Sequence, residues 1–352
     1  MNHLDSLVEQ ATQSELFTSP RLASDLQRFL DEHRPTALAL AAEAHERGIR
    51  TVYFTGSGGS WSAMYSGKYL ADRFTTLTSD AIMSYELIWR NPVRLGADAL
   101  MFAASYSGET EDTVAALRHA HAAGVWTVGV TNRPDSTIAI ESDTAIAYDS
   151  AALYALPMAA VSLFALEYGR LQGSEGAAEV LGAFDALPEL IARAFEDERE
   201  RGLQSARRLL PAQTLYCLGS GPLYGLAYKF ALTVFMENIR THGSVIESAE
   251  FRHGPAEMLE RQRADMVFLL GTDASRALTV RSLDFARAQG ARVVVYDAAD
   301  YTGLHPLLSP FVLKVGLQWL VVYSALLRGI LDLDQRVYMG HQVLAEGGAR
   351  WP

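Results

Sequence analysis

Six short apolar runs stand out from the pattern of hydrophobic and polar positions along the chain. In chain order they are 52–55, 99–105, 125–131, 215–218, 266–271 and 291–296. Each run has a length that suits a strand, and each is followed by a stretch long enough for a helix. Unbroken apolar runs of this kind are typical of parallel sheets that are covered on both faces. The pattern therefore predicts an α/β fold.

The six runs form two copies of one unit. Gly-Ser-Gly follows the first run at 56–58 and the fourth run at 219–221, an offset of 163 residues. A glycine also precedes the third run and the sixth run, at Gly124 and Gly290, an offset of 166 residues. A repeat of strands, turns and helices in the same order indicates two related halves. We therefore predict two tandem αβα sandwich halves with parallel sheets.

Helices are predicted at the start of the chain and between the halves. Pro20 and Pro35 bound residues 21–34, whose apolar positions fall on one helical face. The segment 171–208 is rich in Ala, Glu and Arg, so we predict helices there rather than a flexible linker. The predicted domains are a helical N-terminal extension, two halves and a C-terminal tail near the active site, with the bounds 1–45, 46–190, 191–335 and 336–352.

Composition and charge narrow the classes of partner and location. The chain has 30 basic and 41 acidic residues and no basic run, so nucleic-acid binding is not expected. Its longest apolar stretch, 315–327, is too short to span a membrane and contains Gln318. The single cysteine, Cys217, cannot form an internal disulfide, and the first residues lack the pattern of a signal peptide. We therefore expect a cytoplasmic protein whose ligand is a small molecule.

The first motif is the glycine turn Thr55-Gly56-Ser57-Gly58-Gly59-Ser60, between a predicted strand and a predicted helix. Glycines let a ligand approach the backbone closely, and the start of a helix carries partial positive charge. The dinucleotide-binding fingerprint fails, because Trp61 stands where its third glycine is required. The turn is therefore either a ligand-binding turn or only a tight connection between strand and helix.

The second motif, Ser105-Tyr106-Ser107-Gly108-Glu109-Thr110, follows a predicted strand and opens a predicted helix, 111–121. Three hydroxyls at positions i, i+2 and i+5 can converge on one anion, together with the free N–H groups of the helix start. Capping of the helix by Ser107 or Thr110 is the simpler alternative, but capping requires only one hydroxyl. The motif therefore favours phosphate binding.

The third motif is a concentration of acid–base groups between Glu237 and Glu257. Glu237 follows a predicted apolar helix, 226–236, where partial burial would desolvate its carboxyl group. His253 precedes Gly254-Pro255, a pattern typical of a constrained loop that displays a functional side chain. Glutamate and histidine form a common proton-transfer pair. The alternative is a surface helix end with ordinary caps.

Metal-binding patterns are weak in this sequence. His119 and His121 are two residues apart on a predicted helix and therefore face apart. No Cys-rich or His-Glu-x-x-His pattern occurs. We expect neither a metal nor another cofactor.

These motifs together carry a resemblance. The repeat, the Gly-Ser-Gly turn, Ser105–Thr110 and His253–Pro255 resemble the double sugar-isomerase (SIS) proteins. That family includes the isomerase half of glucosamine-6-phosphate synthase and the fructosamine-6-phosphate deglycases. The resemblance spans nearly the whole chain and implies two SIS-type halves that bind a phosphosugar.

The resemblance implies roles for individual residues. It places phosphate-binding hydroxyls at four positions and further ligand contacts at three, which are Ser57, Ser105, Ser107 and Thr110, and Gly56, Gly58 and Tyr106. Glu237 matches the glutamate that moves a proton between C1 and C2 of the sugar. His253, sixteen residues later, matches the histidine implicated in ring opening. In the family that histidine reaches the neighbouring subunit's site, which implies a homodimer with shared active sites.

The chain departs from the synthase at its lysines. The synthase has a lysine three residues before its glutamate, where this chain has Val234. It also has a Schiff-base lysine near its C-terminus, where this chain has His341, which we keep as a candidate catalytic residue. The chain's three lysines fall in neither region, so an aminotransferase that uses such lysines is disfavoured. The tail 336–340 is closer to the Arg-x-Tyr endings of deglycases.

These inferences favour a phosphosugar-processing enzyme, a deglycase that converts a 6-phosphorylated fructosamine into a hexose 6-phosphate and a free amine. The substrate brings its own nitrogen, so no enzyme lysine is required. Two alternatives stay open. One is an aldose–ketose phosphosugar isomerase or a synthase-like isomerase and aminotransferase domain, and the other is a non-catalytic sugar-phosphate sensor.

Overall fold

The computed structural model describes residues 3–261 and 263–334, which form two compact units. The first-half unit comprises residues 22–189 and 302–311. The second-half unit comprises residues 190–301 together with the described residues before 22 and after 311. The predicted tail lies outside the described residues, and the four-part division of the chain stays a prediction.

Each unit is built on one parallel sheet. The first-half sheet contains β1 (Thr51–Gly56), β2 (Thr78–Met83), β3 (Ala99–Ser105), β4 (Trp126–Thr131) and β5 (Thr144–Ala147), in the spatial order β2-β1-β3-β4-β5. The second-half sheet contains β6 (Thr214–Gly219), β7 (His242–Glu247), β8 (Asp265–Leu270) and β9 (Arg292–Asp297), in the order β7-β6-β8-β9. All neighbouring strands are parallel. The shared order of the first four strands in each sheet confirms the predicted fold class of two tandem halves.

The α-helices of the described residues precede, connect and follow these strands. They are α1 (His3–Ala11), α2 (Ser19–Glu46), α3 (Gly59–Phe74), α4 (Ser84–Arg90), α5 (Glu111–Ala122), α6 (Thr137–Glu141), α7 (Ala155–Leu171), α8 (Ala177–Ala183), α9 (Leu187–Leu209), α10 (Tyr224–Tyr228), α11 (Phe235–Asn238), α12 (Arg276–Ala288) and α13 (Ser309–Leu327). Between α10 and α11 the chain forms a π-helical segment, Lys229–Val234, here called the π-turn.

The core of the first-half unit holds the strands that carry the first candidate site. Residues 155–169 of α7 are all buried. Phe102 in β3 stacks on Phe54 in β1 with 5.6 Å between ring centroids, and it meets Phe164 of α7 edge-on at 4.8 Å. Gly67 lets α3 approach this layer, because a Cβ there would lie 2.7 Å from the Phe54 ring. This packing fixes the ends of β1 and β3 relative to each other.

The first long helix differs from the sequence expectation. Pro35 is predicted to end a helix, but α2 continues through it to Glu46. A proline inside a helix removes a backbone hydrogen bond and costs about 3 kcal/mol. Apolar side chains on both sides of it, Leu30 and Ala37 among them, are buried. Their burial offsets the cost, and the predicted boundary at Pro35 is wrong.

The apolar stretch 315–327, which the sequence alone marks as too short to span a membrane, is part of a longer helical stretch, 306–327, that is long and apolar enough to cross one. Most of this stretch is buried inside the protein, as in the core helix of a globular protein. Its one charged side chain is Lys314, whose Nζ donates a 2.8 Å hydrogen bond to Thr18 Oγ1. Burial, and then the nearby charge of Lys229, lower the pKa of Lys314 well below its usual value.

Replacing Lys314 by methionine is expected to raise the free energy of unfolding near neutral pH. The unfolded lysine binds a proton with its ordinary pKa of 10.5, whereas the folded lysine binds it only at lower pH, so unfolding takes up a proton. Burial of the protonated lysine therefore lowers the free energy of unfolding. This loss is present in full below the pKa of the folded state, and it shrinks as the pH rises towards the pKa of the unfolded state. Each tenfold loss of proton affinity costs about 1.4 kcal/mol.

Thermal unfolding at pH 7 and at pH 10 tests this expectation. Lys314→Met should have the higher Tm at pH 7, and the difference should shrink at pH 10. A Tm at pH 7 equal to or below that of the parent protein would contradict it.

Candidate active site

Two loops meet at the carboxyl edge of the first-half sheet. Because β1 and β3 are parallel neighbours, with Gly56 opposite Ala104, the residues that follow both strands lie side by side. The Ser57 hydroxyl donates to the carboxylate of Asp112 in the first turn of α5. The structure therefore brings Ser57 beside residues 105–110, here called the hydroxyl loop.

The three hydroxyls of the hydroxyl loop have different surroundings. Ser105 is buried, and its Oγ lies 2.7 Å from Thr110 Oγ1 and accepts a 3.0 Å bond from the Gly108 N–H. Ser107 is exposed, and its Oγ accepts a 3.1 Å bond from the Glu109 N–H. Thr110 is partly buried. Ser105 thus shapes the loop from within, while Ser107 and Thr110 are accessible to a ligand.

The start of α5 provides further donors for an anion. Thr110 occupies the cap position of this helix, but its side chain makes no capping hydrogen bond. The first N–H groups of a helix have no intrahelical acceptor, and they carry partial positive charge. The structure therefore does not contain the Thr110 cap that the sequence allows, and the Ser107 hydroxyl accepts from the N–H of Glu109, which lies before the helix. The arrangement of hydroxyls and N–H groups is suited to a phosphate.

The hydroxyl loop is anchored so that it keeps its shape. Gly108 has φ of +71°, and a Cβ there would overlap the hydroxyl of Ser136. The Glu109 carboxylate accepts 2.8 Å and 2.6 Å bonds from the N–H and the hydroxyl of Thr137. The Tyr106 carbonyl accepts a 3.1 Å bond from the Asn132 N–H. Glu109 therefore tethers the loop, and the position of Tyr106 is fixed through its backbone.

Backbone geometry explains two of the three glycines of the first turn, Gly56 and Gly58. A Cβ at Gly56 would lie 2.9 Å from the carbonyl oxygen of Ala104. Gly58 has φ of +53° and precedes the first residue of α3 without a side-chain cap. The turn therefore forms a tight connection between β1 and α3, as one of the two interpretations of the sequence requires. Ligand contact by Gly56 and Gly58 stays a prediction.

Glu237 lies in α11, directly after the π-turn. The sequence predicts one continuous apolar helix over 226–236, but the structure replaces it with α10, the π-turn and the start of α11. Glu237 is partly buried, and its carbonyl accepts a hydrogen bond from the Arg240 guanidinium. Glu237 thus lies at the end of an apolar helical stretch, as predicted, but the stretch is not one regular α-helix.

His253 lies on a constrained loop between two 3₁₀ turns, Glu250–Arg252 and Pro255–Glu260. Gly254, the next residue, has φ of +123°. The His253 side chain is exposed, and its Nε2 accepts a 3.0 Å bond from Arg252 Nε. An exposed imidazole on a fixed loop is available to a ligand or to another chain.

Sequence reasoning missed two carboxylates, Asp112 and Glu247. Each accepts a hydrogen bond from the serine of a Gly-Ser-Gly turn, which is Ser57 in the first half and Ser220 in the second. Glu247 ends β7 and leads into the loop that carries His253. The serines and their carboxylates are 55 and 27 residues apart in the chain, so no local pattern reveals the pairs.

The predicted site residues therefore divide between the units. Ser57 and the hydroxyl loop belong to the first-half unit, and Glu237 and His253 belong to the second-half unit. His341 lies outside the described residues. The catalytic roles assigned from the sequence stay predictions.

Comparisons with known proteins agree on one family. The SIS domain model matches residues 47–166. The chain is 31% identical over 335 residues to fructoselysine 6-phosphate deglycase of Escherichia coli K12, covering 95% of this chain and 98% of that one. It is 33% identical over 258 residues to fructosamine deglycase FrlB of Bacillus subtilis 168, covering 72% and 78%.

A solved structure has the same fold. The C-terminal domain of glucosamine-fructose-6-phosphate aminotransferase from Francisella tularensis superposes with a TM-score of 0.74 at 21% identity. The match covers 90% of this chain and 95% of that one.

Proposed function

The chain belongs to the SIS domain family, and on that premise we propose that it is a deglycase of 6-phosphorylated fructosamines, which it converts into a hexose 6-phosphate and a free amine. The observation that carries the proposal is the relationship to a fructoselysine 6-phosphate deglycase over nearly the full length of both proteins. The hydroxyl loop, Glu237 and His253 supply the groups that the reaction requires.

Phosphate binding is the task of the first-half unit. The hydroxyls of Ser107 and Thr110, the Ser57 hydroxyl and the N–H groups at the start of α5 converge on one edge of the sheet. Hydrogen bonds to an anion are stronger than bonds between neutral groups. The buried Ser105 keeps this cradle in shape through its contacts with Gly108 and Thr110.

Proton transfer is the task of the second-half unit. His253 assists opening of the sugar ring. Glu237 takes a proton from C1 and returns it to C2. The amine nitrogen loses its proton and the C2 oxygen gains one, so that the C1 amine and C2 ketone become a C1 imine and a C2 alcohol. Water then adds to C1, and the C1–N bond breaks with release of the free amine and an aldehyde at C1. Each step moves protons between positioned groups and needs no redox cofactor.

The surroundings of the three lysines are consistent with a mechanism in which no enzyme lysine forms an imine with the substrate. Lys68 lies on α3 and pairs with Asp72. Lys229 and Lys314 are both buried in the second-half unit. The nitrogen that an aminotransferase lysine would handle is already part of a fructosamine substrate.

The proposal also covers the oligomeric state of the protein and its cellular location. We infer a cytoplasmic homodimer in which His253 of one subunit serves the site of the other, and its exposure on a fixed loop supports that role. Cys217 is buried, and burial raises the pKa of its thiol, so it is protected from reaction. A single buried cysteine forms no internal disulfide, which is consistent with the reducing compartment that we infer.

A coupled assay tests the function directly. The protein is incubated with a panel of 6-phosphorylated fructosamines and, separately, with fructose 6-phosphate, and the formation of hexose 6-phosphate and amine is followed. A deglycase releases both products from at least one fructosamine. Conversion of fructose 6-phosphate alone would identify an isomerase, and binding without turnover of any compound would identify a sensor.

Replacing Ser107 and Thr110 together by alanine is expected to weaken phosphosugar binding by about 1 kcal/mol or more for each lost charge-assisted bond. Ser105 is left in place because it maintains the loop. Isothermal titration with a phosphosugar measures the change. Ser142→Ala, which removes a hydroxyl bonded only weakly to Ala139 at 3.4 Å, is the control. Unchanged affinity in the double variant would place the phosphate elsewhere.

A further inference from the structure

The π-turn is an unusual backbone element next to a proposed catalytic residue. In it the Phe235 N–H donates to the Phe230 carbonyl, five residues earlier, instead of four as in an α-helix. Such turns are rare, and they occur frequently at functional sites. Glu237 follows the end of the turn by only three residues. Its position therefore depends on the path of the turn.

One side of the π-turn rests directly on the backbone of β7. A Cβ added at Gly243 would overlap the carbonyl oxygen of Ala231, and it would lie 2.7 Å from the carbonyl carbon and 3.1 Å from the Cα of the same residue. These are backbone atoms, which cannot move aside as a flexible side chain can. Only glycine at 243 accommodates the turn in its observed place.

A side chain stabilises the turn from within. Thr233 Oγ1 donates a 2.7 Å hydrogen bond to the carbonyl of Lys229, four residues earlier. In a regular α-helix that carbonyl would accept the backbone N–H of Thr233. In the π-turn the Thr233 hydroxyl donates to this carbonyl instead, and back-bonding of this kind reshapes helices.

The chain beyond Glu237 is held at fixed points. The Asn238 side chain donates a 3.1 Å bond to the Leu333 carbonyl, and the Thr241 N–H donates a 3.0 Å bond to the Phe235 carbonyl. Glu237 lies between these anchors and the π-turn. A displacement of the turn must therefore be taken up by the four residues of α11.

We propose that Gly243 and Thr233 are positioning residues for proton transfer, because they hold the π-turn in the path that places the Glu237 carboxylate. The inference rests on the proposed function of Glu237. Neither residue supplies a group to the reaction. Their effect is expected on kcat rather than on phosphosugar binding, since the hydroxyl loop belongs to the other unit.

Gly243→Ala is the first test. The added methyl group must push the turn away from β7, and a misplacement of about 1 Å at a catalytic group can cost about 10²-fold in rate. We expect kcat to fall by about 10²-fold, with KM and phosphosugar affinity nearly unchanged. The matched control is Gly202→Ala in the same unit, where the Cβ would lie 2.5 Å from the Cβ of Trp319. That variant also adds a methyl group at a crowded, buried position but does not touch the turn, so kcat should be retained below its Tm.

Thr233→Val and Thr233→Ser form the second test and decide the matter if Gly243→Ala does not fold. Valine keeps the shape but removes the hydroxyl, so kcat should fall by about two- to tenfold, the kinetic equivalent of one hydrogen bond. Serine restores the hydroxyl and should restore kcat. A purely structural role would lower the Tm of the valine variant without changing kcat measured well below that Tm.

The outcomes separate this inference from the proposed function. Normal kcat in both Gly243→Ala and Thr233→Val, together with an inactive Glu237→Gln, would overturn the positioning role alone. An equal loss of kcat in Gly202→Ala would also overturn it, because general destabilisation would then explain the effect. Normal turnover by Glu237→Gln would instead remove Glu237 from the mechanism.

Discussion

Glu237→Gln is expected to lose about 10²–10⁴-fold in turnover, the usual contribution of a general base. Glutamine has nearly the size and polarity of glutamate but cannot accept the proton from C1. Glu237 is partly buried after an apolar helical stretch, so its carboxylate is partly removed from water without being isolated from substrate. Phosphosugar affinity should change little, because the proposed phosphate ligands belong to the hydroxyl loop.

Turnover and binding must be measured on the same preparations. Glu257→Gln is the matched control, since Glu257 is an exposed carboxylate on the 3₁₀ turn that follows the His253 loop. It should turn over substrate at nearly the parental rate. Near-normal turnover in Glu237→Gln would show that Glu237 is an ordinary helix-end carboxylate. A loss of turnover in both variants would mean that turnover depends on the negative charge of the region and not on one proton acceptor.

The sequence is most informative where strands are buried on both faces. The strands β1, β3 and β4, and their second-half counterparts, appear as unbroken apolar runs because helices cover both sides of the sheet. By contrast, β2 and β7 lie at sheet edges, are mostly exposed or half-buried, and include polar residues such as Asp80 and Ser244. Their sequences carry no comparable signal, so the pattern of apolar runs does not predict them.

The site shows the same division between local and distant causes. The hydroxyl loop can be predicted because its serines and threonine lie within six residues of one another, between a strand and a helix. The bond from Ser57 to Asp112 cannot, because it exists only once β1 and β3 pair. The π-turn is equally hidden. Residues 226–236 have the pattern of one apolar helix. The turn packs against Gly243, in a later strand, so closely that no side chain fits at position 243.

Loss of His253 is expected to be as severe as loss of Glu237, and the two defects should complement each other. Each homodimer, Glu237→Gln or His253→Ala, should be nearly inactive, with turnover lowered by about 10²–10⁴-fold. If His253 serves the neighbouring subunit, a mixed dimer contains one site with both lesions and one site with neither. Random mixing of equal amounts makes half of the dimers mixed, so about a quarter of all sites should be intact.

The complementation experiment therefore has a quantitative expectation. Differently tagged chains are co-expressed, mixed dimers are isolated by sequential affinity steps, and turnover per site is compared with that of the parent. Purified mixed dimers should show about half the parental activity, since one of the two sites in each symmetric pair is restored. If the two residues act within one chain, every site keeps one lesion and mixing restores nothing. Because His253 is exposed and its loop is fixed by Gly254 and the flanking 3₁₀ turns, its imidazole is presented outward, where a second subunit would meet it. The absence of recovery in verified mixed dimers would place His253 in the active site of its own chain.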